Sequence, residues 1–332
     1  RGSTLLRVQD AKWQTKVMTM SQKPITISII APMYGVENYI VEYAESVFSQ
    51  SYPHIEFIFV NDGTKDRSVE LLEELIERKY AHLKPQIKII NKENGGLPAA
   101  RRTGLDHATG DYIYHNDSDD WISEGSIEKI VRKIKETDAD IIYFNYVKEY
   151  PTRSSIKRER EYRADQQRDY VRNMYNHHSF GTLCNKCVRR SIYKENEIYS
   201  PKYGYAEDCF VSTQLVGYSS SLAYLDENIY HYRKGNPNAL TGQQRRKRKR
   251  EYALNFLALY EKYRDVPVEK NPVAVIFDDI LIQAGWYSIF YRLDLFKEYS
   301  WLAAAVRKAK MRMGTDVWLL SQLITKIYCL FK

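Results

Sequence analysis

Residues 25–60, ITISIIAPMYGVENYIVEYAESVFSQSYPHIEFIFV, carry two different periodicities back to back. Ile25 to Ala31 is β-rich and apolar at nearly every position, so it has no side left for solvent. A strand of that kind belongs in a parallel sheet covered by helices on both faces. Pro32 lacks an N–H and is expected to end it. Val36, Tyr39, Ile40, Tyr43, Ala44, Val47 and Phe48 then recur at helical spacing, which predicts an amphipathic helix. Ile55 to Val60 reads as the next strand, and the first β/α unit is complete.

The alternation continues outward. Asn61 to Asp66 reads as a loop and Ser68 to Lys79 as a helix with Val69, Leu72, Leu75 and Ile76 inward. Ile87 to Ile90 is a strand, Pro98 to Ala108 a helix, Tyr112 to Tyr114 a strand, Ile127 to Ile134 a helix and Asp140 to Phe144 a strand. This order predicts an α/β fold with a mostly parallel sheet flanked by helices. The rhythm breaks at Lys148 to Gln167, charged and poor in aliphatics, which is expected to be an insertion or flexible lid. Short pieces return over 170–232, and 251–332 reads as helical. The organisation predicted is a leader or appended segment over 1–22, a first domain over 23–240 and a helical C-terminal region over 241–332.

Composition excludes only extremes. A chain of 332 residues can bury a full core, and 44% apolar with 28% charged residues argues against wholesale disorder. Fifty basic against 42 acidic side chains give +8, partly from the run Arg245 to Arg250. That run has no aromatic or helical recognition motif beside it, so it reads as a solvated charge run and not a nucleic-acid site. Cys184, Cys187, Cys209 and Cys329 are too few and too irregular for a disulfide framework, which fits a reducing cytosol. The pair Cys184–Cys187 has zinc-like spacing but no second pair to complete four ligands. No uninterrupted apolar stretch is long enough to cross a bilayer.

In open α/β sheets ligands gather at the carboxyl ends of the strands, and the unusual residues fall there. After the first strand comes Pro32-Met33-Tyr34-Gly35-Val36-Glu37, after the second Asn61-Asp62-Gly63-Thr64, after the third Asn94-Gly95-Gly96, and after the fourth Asp117-Ser118-Asp119-Asp120. Three carboxylates within four residues repel one another, which is easiest to rationalise if a cation is shared. Hard carboxylate oxygens favour Mg²⁺ or Mn²⁺, which keep open positions for phosphates. The competing reading is an Asp-rich turn in which Asp120 or Ser123 caps the following helix. Nothing of the form GxGxxG follows the first strand, which argues against a dinucleotide-binding dehydrogenase.

These loops, over residues 25–240, resemble the family-2 glycosyltransferases of the GT-A fold. The resemblance rests on Pro32-Met33-Tyr34 with Glu37, on Ser46-Val47-Phe48-Ser49-Gln50-Ser51-Tyr52, on Asn61-Asp62-Gly63-Thr64 and on Asn94-Gly95-Gly96 leading to Ala100-Arg101. Gly110-Asp111-Tyr112-Ile113, Asp117-Ser118-Asp119-Asp120-Trp121, the Asn185-Lys186 step and the Glu207-Asp208 pair complete it. Gly35 and Arg102 stand where the family usually has Asn.

The resemblance implies an inverting transfer of a sugar from a nucleotide-sugar, by resemblance a UDP-sugar, to an acceptor hydroxyl. Asp62 would accept from the base, with Pro32 and Tyr34 shaping its pocket. Asp117 would hold the ribose, and Asp119 the Mn²⁺ or Mg²⁺ that bridges the diphosphate. Glu37, Asn94, Arg101 and Ser118 would line the nucleotide side. Asp208 would be the general base, with Glu207 beside it, and His231 a further metal ligand.

The family's setting implies bacterial surface polysaccharide synthesis on a glycan or lipid-linked glycan acceptor. The expected location is the cytoplasm or, peripherally, the inner face of the cell membrane. The alternative is a catalytically silent subunit that binds nucleotide-sugar. The stripe Val317, Trp318, Leu320, Leu323, Ile324, Ile327, Tyr328 and Phe331 would suit a bilayer surface, or equally packing in the domain or a homodimer.

Overall fold

A computed structural model describes residues 24–198, 200–236 and 245–313. The predicted leader and the apolar stripe within 316–332 lie outside the described residues. The chain runs β1 (Ile27–Met33), α1 (Ile40–Phe48), β2 (Ile55–Asn61), α2 (Ser68–Lys79), β3 (Ile87–Asn91), α3 (Leu97–His107), β4 (Tyr112–His115), β5 (Trp121–Ile122) and α4 (Ser126–Thr137). It continues through β6 (Ile141–Tyr150), β7 (Arg153–Lys157), α5 (Gln167–Tyr175), β8 (Lys186–Arg189), α6 (Arg190–Glu195), α7 (Glu207–Tyr218) and β9 (Leu222–Arg233). Four helices close the described part: α8 (Arg245–Tyr263), α9 (Phe277–Phe290), α10 (Leu295–Glu298) and α11 (Leu302–Met313).

Among the described residues the strands make one mixed sheet in the order β3-β2-β1-β4-β8-β6-β9-β5, with β7 paired to β6. The first four are parallel, β8 is antiparallel to both neighbours, and β6 and β9 are parallel again. Although β1 is buried throughout, its period-2 geometry still divides it. Ile27, Ile29, Ala31 and Met33 join the core shared with α1, α2 and α4, and Ile30 the core on the opposite face. On that opposite face α3 lies close to the sheet because Gly104 has no side chain. A Cβ there would come within 2.3 Å of Ile30 Cγ2.

Three expectations are corrected. Pro32 does not end β1, which runs to Met33 and keeps its register with β2 through Pro32↔Val60 and Met33↔Asn61. Alternation directs the Pro32 backbone away from β2, toward β4, and β4's pairing with β1 stops at Ile30↔His115. The missing N–H therefore breaks no ladder bond, and the Pro32 carbonyl accepts the Ser118 hydroxyl at 2.5 Å. The charged segment after Tyr146 is no lid. It forms the β6–β7 hairpin, then buries Glu159 and Tyr162, with Tyr162 stacked on Tyr170 at 4.5 Å. The apolar side of that segment is aromatic, which a search for aliphatic residues misses.

The basic run is the third. Arg245 to Arg250 opens α8 as structural contacts. Arg246 donates to the carbonyls of Tyr291 and Arg292, Lys249 to the Tyr287 hydroxyl, and Arg250 pairs with Glu298. These cations hold α8 to the end of α9 and to α10. One apolar cluster runs from Ile30 and Ile58 through Phe210 and Phe256 to Leu302, so the C-terminal helices share a core with the sheet.

Candidate active site

The loops after β1, β2, β3 and β4 meet at the carboxyl end of the parallel strands. Gly35 N–H donates to Thr64 Oγ1 and Glu37 N–H to Asp66, while Glu37 accepts the Arg67 N–H at the start of α2. Glu37, predicted to line the nucleotide side, thus ties two loops together. Asp62 is buried and satisfied: Lys92 Nζ and Gly95 N–H reach Oδ1 at 2.6 and 2.9 Å, and Gly96 N–H reaches Oδ2 at 2.8 Å. One lone pair of Oδ2 is left for a further donor. Asn94 holds the Asp62 carbonyl at 2.9 Å. Tyr34 projects outward, 58% exposed, an apolar plate with no protein against most of it.

The acidic loop after β4 is held from the other end of the sheet. Asp120, read as an alternative helix cap, is fully buried and caps nothing. Its carboxylate accepts from the Tyr230 hydroxyl at 2.6 Å and from Arg233 N–H at 2.7 Å. Tyr230 OH also accepts the Asp117 N–H. Asp119 Oδ2 accepts from Asn236 at 2.6 Å, and the Asp119 carbonyl from Arg233 Nε at 2.8 Å. Burial, then the charge of Asp117, pushes the Asp119 carboxyl up from its ordinary range. Ser118, expected on the nucleotide side, is buried with its hydroxyl on the Pro32 carbonyl, which shapes the loop.

Across from this loop α7 begins at Glu207, after Ala206 in the left-handed region (φ 58°). Arg101, predicted on the nucleotide side, is buried and joins the two parts. Its Nε donates to Glu207 Oε1 at 2.9 Å and its Nη2 to Asp117 Oδ1 at 2.6 Å. Burial pushes the Glu207 carboxyl up to about 7 despite the opposing pull of Arg101, with Asp208 and Asp117 raising it further. Burial also raises Asp208, which accepts the Cys209 N–H at 2.8 Å. Lys186 Nζ, held by the carbonyls of Phe180 and Thr182 and by Asn185 Oδ1, lies near enough to draw Asp208 downward. Cys184, Cys187 and Cys209 are buried free thiols.

His231, expected as a metal ligand, is held on three sides. Its Nε2 lies 2.9 Å from Ser123 Oγ, its Nδ1 2.7 Å from Glu149, and its ring stacks on Trp121 at 5.1 Å. Among the described residues no three His, Cys, Asp or Glu side chains converge as a metal cage.

This geometry can be set beside known proteins. The model of glycosyl transferase family 2 matches residues 28–196. The chain belongs to that family. It is 30% identical over 221 residues to the Bacillus subtilis (strain 168) glycosyltransferase EpsJ, covering 65% of this chain and 62% of that one. EpsH of the same strain is 31% identical over 213 residues, 62% of this chain and 60% of that one. The chain therefore spans about three fifths of the length of these relatives.

Among solved structures, S. aureus TarS 1–349 in complex with UDP-GlcNAc superposes with a TM-score of 0.62 at 18% identity, over 86% of this chain and 89% of that one. The Pyrobaculum calidifontis mannosyltransferase PcManGT in complex with GDP-Man and Mn²⁺ gives 0.53 at 13% identity, over 96% and 92%. At such identities the likeness is one of fold, and it is the GT-A fold the sequence motifs imply.

Sequence reading missed what holds this candidate site. Lys92, Arg233 and Asn236 belong to no motif, and nothing in their neighbourhood signals contact with Asp62 or Asp119. Asn255, on α8, lies about fifty residues from the loop it supports. It accepts the Tyr203 N–H and donates to the carbonyls of Tyr203 and Tyr205, and Glu251 accepts the Tyr205 N–H. Asn255→Ala removes the partner of the part-buried Tyr203 N–H and of the Tyr203 and Tyr205 carbonyls, just before Glu207. It is expected to lower unfolding free energy by about 1–3 kcal/mol in urea titrations.

Proposed function

We propose that the chain is an inverting glycosyltransferase that moves a sugar from a UDP-sugar to an acceptor hydroxyl with Asp208 as the base. The observation that carries this reading is Arg101, a buried cation bonded at once to Asp117 in the acidic loop and to Glu207 beside Asp208. It sets the proposed donor side and the proposed base on one rigid group. The TarS complexes with UDP-GlcNAc and UDP on the same fold support a uridine donor.

In the proposed reaction the acceptor oxygen attacks the anomeric carbon from the side of Asp208, which takes the hydroxyl proton. The bond from that carbon to the diphosphate oxygen breaks, and the nucleoside diphosphate leaves with the electron pair. One displacement inverts the configuration. A carboxylate whose pKa burial raises is a stronger base than an exposed one, which suits this role. Asp62 would receive the base of the nucleotide on its remaining lone pair, and exposed Tyr34 would cover the ring. Arg101 keeps Asp117 turned toward the ribose.

The acidic loop fits a divalent cation in one respect: Asp119 is a crowded carboxylate held by a neutral amide. Mg²⁺ or Mn²⁺ needs only one or two such groups besides substrate phosphates. Asp119 would hold the ion, with its Asn236 bond setting the carboxylate's direction. Such an ion would neutralise the diphosphate as it departs.

The test is a panel of nucleotide-sugars with Mn²⁺, with nucleotide release measured. UDP release from a UDP-sugar is expected, and Asp119→Asn abolishes it. Undiminished turnover in excess EDTA would overturn the metal assignment, and no release from any UDP-sugar would overturn the donor. Binding without turnover would favour the silent-subunit alternative.

A further inference from the structure

The segment between α5 and β8 comes against α7 at the residue after Asp208. Gly181 lies there on Cys209: a Cβ on Gly181 would come within 2.6 Å of Cys209 Sγ, 2.8 Å of its Cβ and 3.1 Å of its Cα. Those distances leave no room for a methyl group. The constraint is steric alone, since Gly181 is not among the glycines with a positive φ.

The segment is clamped from behind. Lys186 is buried, and its Nζ donates to the carbonyls on either side of Gly181, Phe180 at 2.7 Å and Thr182 at 2.8 Å. Its third proton goes to Asn185 Oδ1 at 2.8 Å, so the ammonium is fully used. Glu159 accepts the Phe180 N–H at 2.9 Å, and the Thr182 hydroxyl donates to Asn185 Oδ1 at 2.9 Å. Both flanks of Gly181 are therefore fixed.

The start of α7 has less to hold it. It follows Ala206 in the left-handed region, and no side chain caps it. Asn255 and Glu251 of α8 hold Tyr203 and Tyr205. Asp208 stands between that hold and the Gly181 contact.

We propose that Lys186 is a positioning residue for Asp208, acting through the Phe180–Thr182 segment, and that the Gly181 contact with Cys209 sets where the carboxylate meets the acceptor hydroxyl. The proposal rests on Asp208 being the base. A base works only within hydrogen-bond reach of the proton it takes, so a misplacement of about 1 Å costs up to about a hundredfold in rate and leaves donor binding alone.

The ammonium also acts by charge. Arg101, Asp117, Tyr146 and Cys184 lie within electrostatic reach of Asp208 as Lys186 does, and Glu207 and Cys209 adjoin it on α7. Burial raises the Asp208 carboxyl and Asp117 adds to it, while the Cys209 N–H, Arg101 and Lys186 draw it back. Burial pushes Lys186 itself down to about 8, and below that value it carries its charge.

Two readouts test the proposal. The first is UDP release from the UDP-sugar that the nucleotide-sugar panel picks out, with water as acceptor. Gly181→Ala is expected to lower kcat by about tenfold or more, with KM for the UDP-sugar and affinity for UDP unchanged. Combining Gly181→Ala with Cys209→Gly returns the space from the other side and is expected to restore most of the loss. The second readout needs no substrate. It is a carbon-13 NMR titration of labelled aspartates, in which the Asp208 signal is the one missing from Asp208→Asn. In Lys186→Met this carboxyl is expected to titrate at higher pH than in the native chain.

A native kcat in Gly181→Ala, no recovery in the combined variant, a matching loss of UDP affinity, or an unmoved Asp208 signal in Lys186→Met would each overturn the proposal. A failure of the base itself shows separately, as undiminished UDP release by Asp208→Asn.

Discussion

Asp208→Asn is expected to transfer sugar at least about a hundredfold more slowly than the native chain while binding UDP as tightly. The substitution keeps shape and size, and the amide oxygen can still accept the Cys209 N–H that the carboxylate accepts at 2.8 Å. Only the capacity to take the acceptor proton is lost. Nucleotide contacts would be made on the far side of Arg101, at Asp62 and Asp117, so affinity for UDP by calorimetry should not move. With Asp208 as the base, the native transfer rate is expected to fall as pH drops through the Asp208 pKa, a limb that burial moves above the ordinary aspartate range. Transfer by Asp208→Asn at the native rate would identify a different base.

Arg101→Met is expected to do more damage to the fold than any substitution among the loop carboxylates. The guanidinium is buried, and although burial alone would lower its pKa, the Glu207 and Asp117 carboxylates more than reverse that. It stays charged. Removing it leaves a buried Glu207 with no cation, and breaking such a pair costs about 3–5 kcal/mol. The loss has a pH signature.

In the native chain Glu207 has its pKa raised from 4.5 to about 7, so between those values the folded state binds more protons than the unfolded one. Its contribution to stability is present below about 4.5 and falls away as pH rises through about 7. Without Arg101 the group is raised further. The variant's deficit in urea unfolding should therefore be larger at pH 8 than at pH 5.5, where a protonated Glu207 no longer needs a counter-charge. An equal deficit at both values would mean that lost packing and not lost charge is responsible. Arg101→Lys should not rescue transfer, because one ammonium cannot reproduce the fork that reaches both carboxylates.

The sequence by itself determined the architecture of the first half, and with it the edge at which the candidate loops meet. Period-2 and helical patterns are local, so Ile27–Met33, Ile55–Asn61 and the helices after them are legible from their own residues, and so is the edge of the sheet on which the loops between them lie. The family motifs at Asp62, Asp117–Asp120 and Glu207–Asp208 are likewise short and contiguous.

Tertiary structure decided which side chains hold one another. Arg101 looks like one more residue of its motif, yet it meets Glu207, 106 positions away. Asp120 looks like a helix cap and instead takes the hydroxyl of Tyr230. His231 meets Glu149 and Ser123, 82 and 108 positions away. The charged stretch after Tyr146 looks like a lid, and Arg245 to Arg250 like a solvated run. Each has partners from remote segments that satisfy its charge or bury its rings. The physical reason is one of range: backbone periodicity is set by neighbours a few residues apart. A buried charge or hydrogen-bonding group is paid for only by a partner that folding brings to it, and the local sequence carries no mark of which partner that will be.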